Sequence, residues 1–591
     1  MTVPVDDSTY PPFNRNFFDG DVSFSLIGTG ALGGKARGLA FIKETLAAHF
    51  DPAEFPDLTV TIPTMTVVAT DVFDRFMKLN QLGEVAYSDL PDDRIAHAFQ
   101  KAELPVGIVG DLRALIAQMH TPLAIRSSSL LEDALKHPFA GTYATKMIPN
   151  NQLDVDTRFR KLAEAIKFVW ASTFFQAAKQ YVRVTDYTSR DEKMAVIIQE
   201  VVGQRHGERF YPTMAGVARS YNYYPARPAR PEEGVVNLAL GLGKTIVDGG
   251  VCWTYSPAHP TRRPPFASNT DLLRNTQSEF WAVNMGPPPA YDPIHETEYL
   301  VKGTLLDAEQ DGTLRYLVST YEPGSDRLAL GMGVPGPRAL TFGPLLELED
   351  VPLTPLLRRL LAVCKKVLRA DVEMEFAVKL DPERGLPARF GFLQVRPMLV
   401  SDEEVRITDD EFHGPQAVVA SEAVLGNGIV DTLRDVVYVK PDAFEARHTP
   451  RIAGELEEVN RVLVEQHRPY VLIGFGRWGS SDPWLGTPVV WPQISGARVI
   501  VEATLENMNV ELSQGSHFFH NISSFRVSYL AVPHATGQAI NWQWLADQPG
   551  RHDLTFVRHV ALVHPLLVKV DARTGRGVIL QGGATLNAST P

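Results

Sequence analysis

Two stretches carry oxygen and nitrogen groups at strand spacing. In VEMEFAVKL (Val372 to Leu380) alternation puts Val372, Met374, Phe376, Val378 and Leu380 on one face and Glu373 and Glu375 together on the other. A turn-rich DPERGLPAR follows, and the returning FGFLQVRPM (Phe390 to Met398) places Gln394 and Arg396 on one face, able to meet the glutamates across a hairpin. Two carboxylates and an amide oxygen are hard ligands that suit Mg2+ bridging phosphates, and Arg396 can neutralise phosphate charge. The competing reading is a solvated Glu/Arg pair on an amphipathic hairpin. Upstream, LAIRSSSLLEDALKHPFAGTY (Leu123 to Tyr143) delivers Arg126 from a short apolar strand beside Ser127, Ser128 and Ser129. A guanidinium forks to phosphate oxygens while hydroxyls and loop amides donate further bonds, which suits a triphosphate. A solvated loop with a helix cap is the alternative.

GTGALGGKARGL (Gly28 to Leu39) adds a glycine turn that opens a helix, with Lys35 in its first turn. Free amides at such a start suit an anion. Gly28, Gly30 and Gly33 also match GxGxxG formally, but a dinucleotide site wants an acid closing the second strand. Leu58 to Val68 has none, and the next acid is Asp71. A purely structural turn is the third reading. GLGKTIVDGG (Gly241 to Gly250) imitates a P-loop, yet Leu238 stands where that pattern needs its first glycine.

These groups must be held by a large mixed scaffold. The chain has 591 residues, 44% apolar and 21% charged, enough for three or four domains. From Gly28 to about Val202 strand-like and helix-like segments alternate. Leu58–Val68 reads as a strand and residues 157–182 as one long amphipathic helix. From Val217 to Val400 strands dominate, with Pro-rich loops at Tyr221–Gly234 and Asn284–Pro293 that read as surface insertions or partner-binding stretches. The acidic run Ser401–Phe412 reads as a linker into a third unit. No window is apolar enough to span a membrane and the N-terminus lacks signal-peptide features. Cys252 and Cys364 can form neither a disulfide framework nor a four-Cys zinc site, which suits a reducing cytoplasm. With 57 basic against 69 acidic residues, net charge −12 gives no bulk attraction to nucleic acid or anionic membrane. Any phosphate site is local.

The Arg126 segment resembles the ATP-binding loop of the phosphoenolpyruvate synthase and pyruvate phosphate dikinase family. The resemblance extends in order through GGKARGL, FVWASTFFQAAKQYV (Phe168 to Val182), AVIIQEVVG (Ala195 to Gly203), GLGKTIVDGGV, VEMEFAV and FLQVRPM. It implies an α/β (α+β) fold containing a two-lobed ATP-grasp domain, with lobes over residues 20–205 and 206–400. By the same carry-over Lys35, Arg126, Ser127 and Ser128 face the nucleotide phosphates. Gln199, Glu200 and Val202 line the adenine hinge, and Gly241 and Gly243 belong to the nucleotide-binding block. Glu373, Glu375 and Gln394 fall on metal positions and Arg396 on a phosphate position. Two departures stand out: Glu373 where the family usually has Asp, and Lys244 where it has Glu.

Family members pass phosphate to a histidine on a mobile domain. Residues 413–591 resemble that domain in diverged form, through YVLIGFGRWGSSDPWL (Tyr470 to Leu485), GARVIVE (Gly496 to Glu502) and QGSHFFHNI (Gln514 to Ile522). Ser516-His517 falls at the histidine turn, where Gly515, Ser516 and Asn521 could supply donors for a phosphoryl group. Structural roles for His517 and His520 are the alternative, as is a packed turn for Gly474–Asp482 around Trp478 and Trp484. Members that act on pyruvate carry a further C-terminal barrel of several hundred residues, so the expectation from these 591 residues is not a complete phosphoenolpyruvate synthase. The expectation is an ATP- and Mg2+-dependent phosphotransferase with Lys35, Arg126, Arg396 and His517 as catalytic groups and an acceptor not identified. A non-catalytic ATP sensor is the alternative.

Overall fold

The computed structural model describes residues 11–16, 24–129, 143–183, 192–222, 229–248, 250–263, 268–269, 272–273, 276–349, 351–381, 385–398, 405–480, 484–506, 508, 527–534, 540–571 and 574–582. The chain forms two compact units, Met1–Tyr221 with Ala226–Met398, and Asn222–Pro225 with Leu399–Pro591.

The first unit begins with β1 (Phe24–Ile27), α1 (Gly34–His49), β2 (Leu58–Thr61), β3 (Met65–Val68), α2 (Thr70–Leu79), β4 (Leu123–Ser129), β5 (Thr145–Ile148), α3 (Val155–Ser172), α4 (Gln176–Arg183) and β6 (Met194–Glu200). Its first sheet runs β1-β3-β6-β4-β5. Only the β1/β3 pair in it is parallel; β3/β6, β6/β4 and β4/β5 are antiparallel. A dinucleotide fold needs a mostly parallel doubly wound sheet, so the GxGxxG reading fails on topology.

Two element expectations are corrected here. Leu58–Val68 is two strands, broken around Pro63, and they enter different sheets: β3 stays in the first while β2 pairs in parallel with Ala388–Gly391 in the second. Proline removes a ladder donor and turns the chain there. The single helix over 157–182 is α3 and α4. Ser172 donates back to the Val169 carbonyl at 2.7 Å and accepts the Ala144 amide at 3.1 Å, and Thr173–Phe175 interrupts the helix. The break lets Trp170 and Phe174 both pack with Phe73.

The second sheet uses β7 (Met214–Arg219), β8 (Val235–Ala239), β9 (Trp253–Tyr255), β10 (Asp371–Asp381) and β11 (Gly385–Met398), in the order β9-β8-β7-β10-β11-β2. Val372, Met374, Phe376, Val378 and Leu380 are buried, as the alternation requires. They lie under α5 (Leu353–Leu368), which packs on β10 through a leucine-rich stripe including Leu356, Leu357 and Leu360. Gly216 opposes Phe376 on β7, where a Cβ would meet the ring at 2.2 Å. Cys364 is buried in this layer, and burial pushes its thiol up to about 12, which removes it from nucleophilic chemistry.

The Pro-rich segment after Asn284 folds back on its own unit. The Lys146 ammonium donates to the Pro293 carbonyl at 2.8 Å and pairs with Glu298 at 2.7 Å. Tyr291 donates to Glu164, and the Thr145 amide donates to Glu296. The loop is thus an internal clasp on β5 and α3.

In the second unit, Asp435–Val439, Tyr470–Phe475, Ala497–Ala503 and Ser528–Val532 are parallel neighbours in a seven-stranded sheet. Ala417–Ser421, Arg576–Leu580, Leu567–Asp571 and Gly428–Val430 form a four-stranded sheet. The expected linker is structured from Val405 onward. Thr408 caps the short helix Asp409–His413, and Val405 and Phe412 are buried. Near the end of the strand Tyr470–Phe475, Gly474 supports the Trp478 ring, and the indole donates to the Val501 carbonyl at 3.3 Å. Trp484 is 71% exposed. Among the described residues no helix is long and apolar enough to cross a membrane.

Candidate active site

Cross-strand register decides which polar groups meet. Glu373 lies opposite both Arg396 on β11 and Arg219 on β7, and Glu375 lies opposite Gln394 and Val217. The hairpin therefore brings together the four residues singled out in it. It also adds one that sequence reasoning missed: Arg219, from a strand distant in the chain. Glu373 is buried, accepting from Arg396 Nε at 2.7 Å through Oε1 and from Arg219 Nε at 2.5 Å through Oε2. Arg219 Nη1 also donates to Asn237 Oδ1 at 3.2 Å.

One register irregularity matters. Pairing shifts between Glu375/Gln394 and Phe376/Phe392, which leaves Leu393 as an extra residue on β11. A bulge releases a carbonyl from the ladder. That carbonyl accepts Arg126 Nη1 at 2.9 Å. Arg126 comes from the first sheet, and its guanidinium also donates to Gln394 Oε1 at 3.1 Å and Gln199 Oε1 at 3.3 Å and lies 3.6 Å from Glu375 Oε2. One side chain thus joins both sheets at the position where the hairpin presents its oxygens.

Next to Arg126, Ser127 accepts from the Lys35 ammonium at 3.2 Å. Ser128 is buried; its hydroxyl donates to the Leu32 carbonyl at 2.8 Å and accepts the Ala36 amide at 3.0 Å. It clasps the glycine turn to β4. Gly33, the residue before α1, has φ +76°, and a Cβ there would meet the Ser128 carbonyl at 1.8 Å, so the contact requires glycine. The free turn amides expected for an anion are not free: the Asp71 carboxylate accepts from the Thr29 amide at 3.0 Å and the Gly30 amide at 2.8 Å. An internal carboxylate already occupies the anion position at those two residues.

Gln199 lies one residue before the end of the central strand β6, opposite Met65 and Ala124, and its Nε2 is buried without a hydrogen-bond partner. Glu200 and Val202 line a cleft of about 400 Å³ with Thr121, Phe210, Lys379 and Arg389. Gly241 has φ +80° and its turn packs on the Trp281 carbonyl; Gly243 lies over Ala215 and precedes the short helix Lys244–Val247. Ala215 is opposite Ala377 and Ala239, a floor of small residues beside Glu375. Lys244 pairs with Asp248 at 3.1 Å. Ser516, His517, His520 and Asn521 lie outside the described residues.

Counted on this face and the adjoining end of β4, Lys35, Arg126, Arg219 and Arg396 outnumber Glu373 and Glu375, an excess of positive charge in a partly desolvated site. That excess suits a polyphosphate despite the acidic chain. Among the described residues no group of three or more His, Cys, Asp and Glu could hold a metal ion by protein ligands alone. Glu375 and Gln394 offer two oxygens to a hard cation that phosphates would complete.

Comparison with known protein families gives a match to the family described as pyruvate phosphate dikinase, AMP/ATP-binding domain, over residues 29–413. No curated protein matches the chain. The matched span holds the second sheet, all of the first sheet but β1, the hairpin and Arg126, and covers well over half of the chain, so the chain belongs to the pyruvate phosphate dikinase family and carries its AMP/ATP-binding domain.

Proposed function

We propose that the protein is an ATP- and Mg2+-dependent phosphotransferase of the dikinase type, with His517 accepting phosphate from ATP and AMP released. The observation that carries this reading is the Arg126 bridge, which gathers Gln199, Gln394, Glu375 and the Leu393 carbonyl around one guanidinium. In this reading adenine lies at the hinge by Glu200 and Val202, with Gly241 and Gly243 flanking the nucleotide. The phosphates reach Arg126, Lys35, Ser127 and Arg396, and Ser128 acts through the clasp it makes with the glycine turn.

Glu375 and Gln394 would hold Mg2+, which when bound neutralises phosphate charge and fixes phosphate geometry. Arg126 and Lys35 orient the chain of phosphates and stabilise charge as it moves onto the leaving AMP. The His517 ring nitrogen attacks the β-phosphorus, the bond from that phosphorus to the α–β bridging oxygen breaks, and AMP leaves with its electrons, which puts the β- and γ-phosphates together on the histidine as a pyrophosphoryl group. Attack of water on the γ-phosphorus then breaks its bond to the β–γ bridging oxygen and releases inorganic phosphate, leaving the β-phosphate on His517. The domain division 20–205, 206–400 and 413–591 belongs to this reading, with the last segment as a diverged phosphohistidine-like domain, and a cytoplasmic location suits the two thiols.

The test is incubation with Mg2+ and β-labelled ATP, scoring AMP and acid-labile protein phosphate in wild type and His517→Ala. Label and AMP in wild type alone are expected. A non-catalytic ATP sensor is the second reading, favoured by Lys244 in place of the family glutamate and its pairing with Asp248. Stoichiometric ATP binding without AMP, unchanged by His517→Ala, would establish it.

A further inference from the structure

The three carboxylate or amide oxygen donors of the hairpin are not equivalent. Both oxygens of Glu373 are engaged by guanidinium groups, Oε1 by Arg396 and Oε2 by Arg219, and the three side chains form a row across β11, β10 and β7 in which Arg396 and Glu373 are buried and Arg219 is partly exposed. A metal at Glu373 would meet a guanidinium on each carboxylate oxygen, and displacing either from its ion pair is costly because the displaced charge loses its partner. Glu373 does not fit the metal position assigned to it by resemblance. Glu375 and Gln394 are different: one guanidinium, Arg126, reaches both, at 3.6 Å from Glu375 Oε2 and 3.1 Å from Gln394 Oε1, and Arg126 has the Leu393 carbonyl and Gln199 Oε1 to keep it in place when a cation takes those two oxygens.

We propose that Arg219 is a positioning residue that holds Glu373 as a counter-charge for Arg396 and so limits the site to one divalent cation, bound at Glu375 and Gln394. Asn237 steadies the other arm of Arg219, and Asn237 is itself held by Thr254 at 2.8 Å, so the arginine is braced from β8 and β9 as well. The protein's own guanidinium then supplies the positive charge that a second ion would bring. This inference rests on the nucleotide-site reading above.

The experiment counts Mn2+ bound per protein by electron paramagnetic resonance on the full chain, with a non-hydrolysable ATP analogue whose own binding is followed separately by fluorescence. One Mn2+ per bound nucleotide is expected in wild type. Glu375→Gln should weaken Mn2+ at least tenfold and Glu373→Gln less than threefold. Arg219→Met, which uncovers Oε2, should raise the count to two, and Arg219→Lys should restore one. A merely structural arginine would alter melting temperature without changing the count. Two ions in wild type, equal losses in the two glutamine variants, or a count of one in Arg219→Met would overturn the proposal while leaving nucleotide binding intact. Absence of analogue binding in wild type would overturn the site reading and the proposal with it. The wild-type count decides the matter even if a variant fails to fold.

Discussion

The glycine turn at Gly28–Gly33 and the hairpin at Glu373–Arg396 both offer phosphate chemistry on paper, and folding sends them in opposite directions. The turn closes on itself. Asp71 accepts from the Thr29 and Gly30 amides, Ser128 locks its far side, and those two amides, which looked like anion donors, become structural. The hairpin is completed from outside, by Arg126 from the first sheet and Arg219 from the neighbouring strand. A donor becomes a binding group only if no internal partner reaches it first, and that is a tertiary question.

The comparison can be broken most directly at Glu375. Glu375→Ala should lower AMP formation by about 10³-fold, since a charge-stabilising contact made in the transition state is worth roughly that much. Quenched-flow measurement with nucleotide affinity determined in parallel would check it. A fall of less than tenfold would remove the hairpin from the chemistry. Next in size is Arg126→Met, expected to lower kcat/KM for ATP by about 10²-fold, equivalent to about 2.7 kcal/mol. Because Arg126 also ties the sheets together, its loss should lower the melting temperature, which the Glu375 variant does far less.

Asp71→Ala tests the closed side. It should cost about 1–3 kcal/mol in denaturant unfolding, because two turn amides lose their acceptor. Nucleotide affinity should change less than about threefold, within roughly 0.7 kcal/mol. A large loss of affinity with little loss of stability would reverse the contrast drawn above. The smallest effect concerns a carboxylate with a similar task. Asp154 caps α3 through the Thr157 amide, and that backbone hydrogen bond holds its carboxyl below the usual value. A depressed carboxylate contributes stability above its unfolded value that is lost as pH falls through the folded one. Wild type and Asp154→Ala should therefore converge in thermal stability as pH drops below about 4, and remain offset by a small margin at neutral pH.

Much of the hairpin was legible because strand periodicity is local. The alternation from Val372 to Leu380 assigns five side chains to a buried layer and two glutamates to the other face, and Gln394 and Arg396 follow from the same rule. Ordered blocks pointed to the nucleotide-binding family, whose model spans residues 29–413. The breaks in Leu58–Val68 and residues 157–182 were harder. Both segments keep an apolar pattern; Pro63 marks the first break, but only the tertiary fold sends β2 and β3 to different sheets, and only the packing of Trp170 and Phe174 together on Phe73 shows why the second divides.

The sequence alone therefore determined the residue types, their alternation and the family, since these depend on neighbours along the chain. The tertiary structure decided which charges are already matched. Arg219 reaches Glu373 because β7 lies beside β10, the Leu393 carbonyl reaches Arg126 because of a one-residue register shift, and Asp71 reaches the glycine turn because α2 begins beneath it. Each pairing joins residues far apart in sequence, and its energy depends on distance and burial that no local pattern encodes.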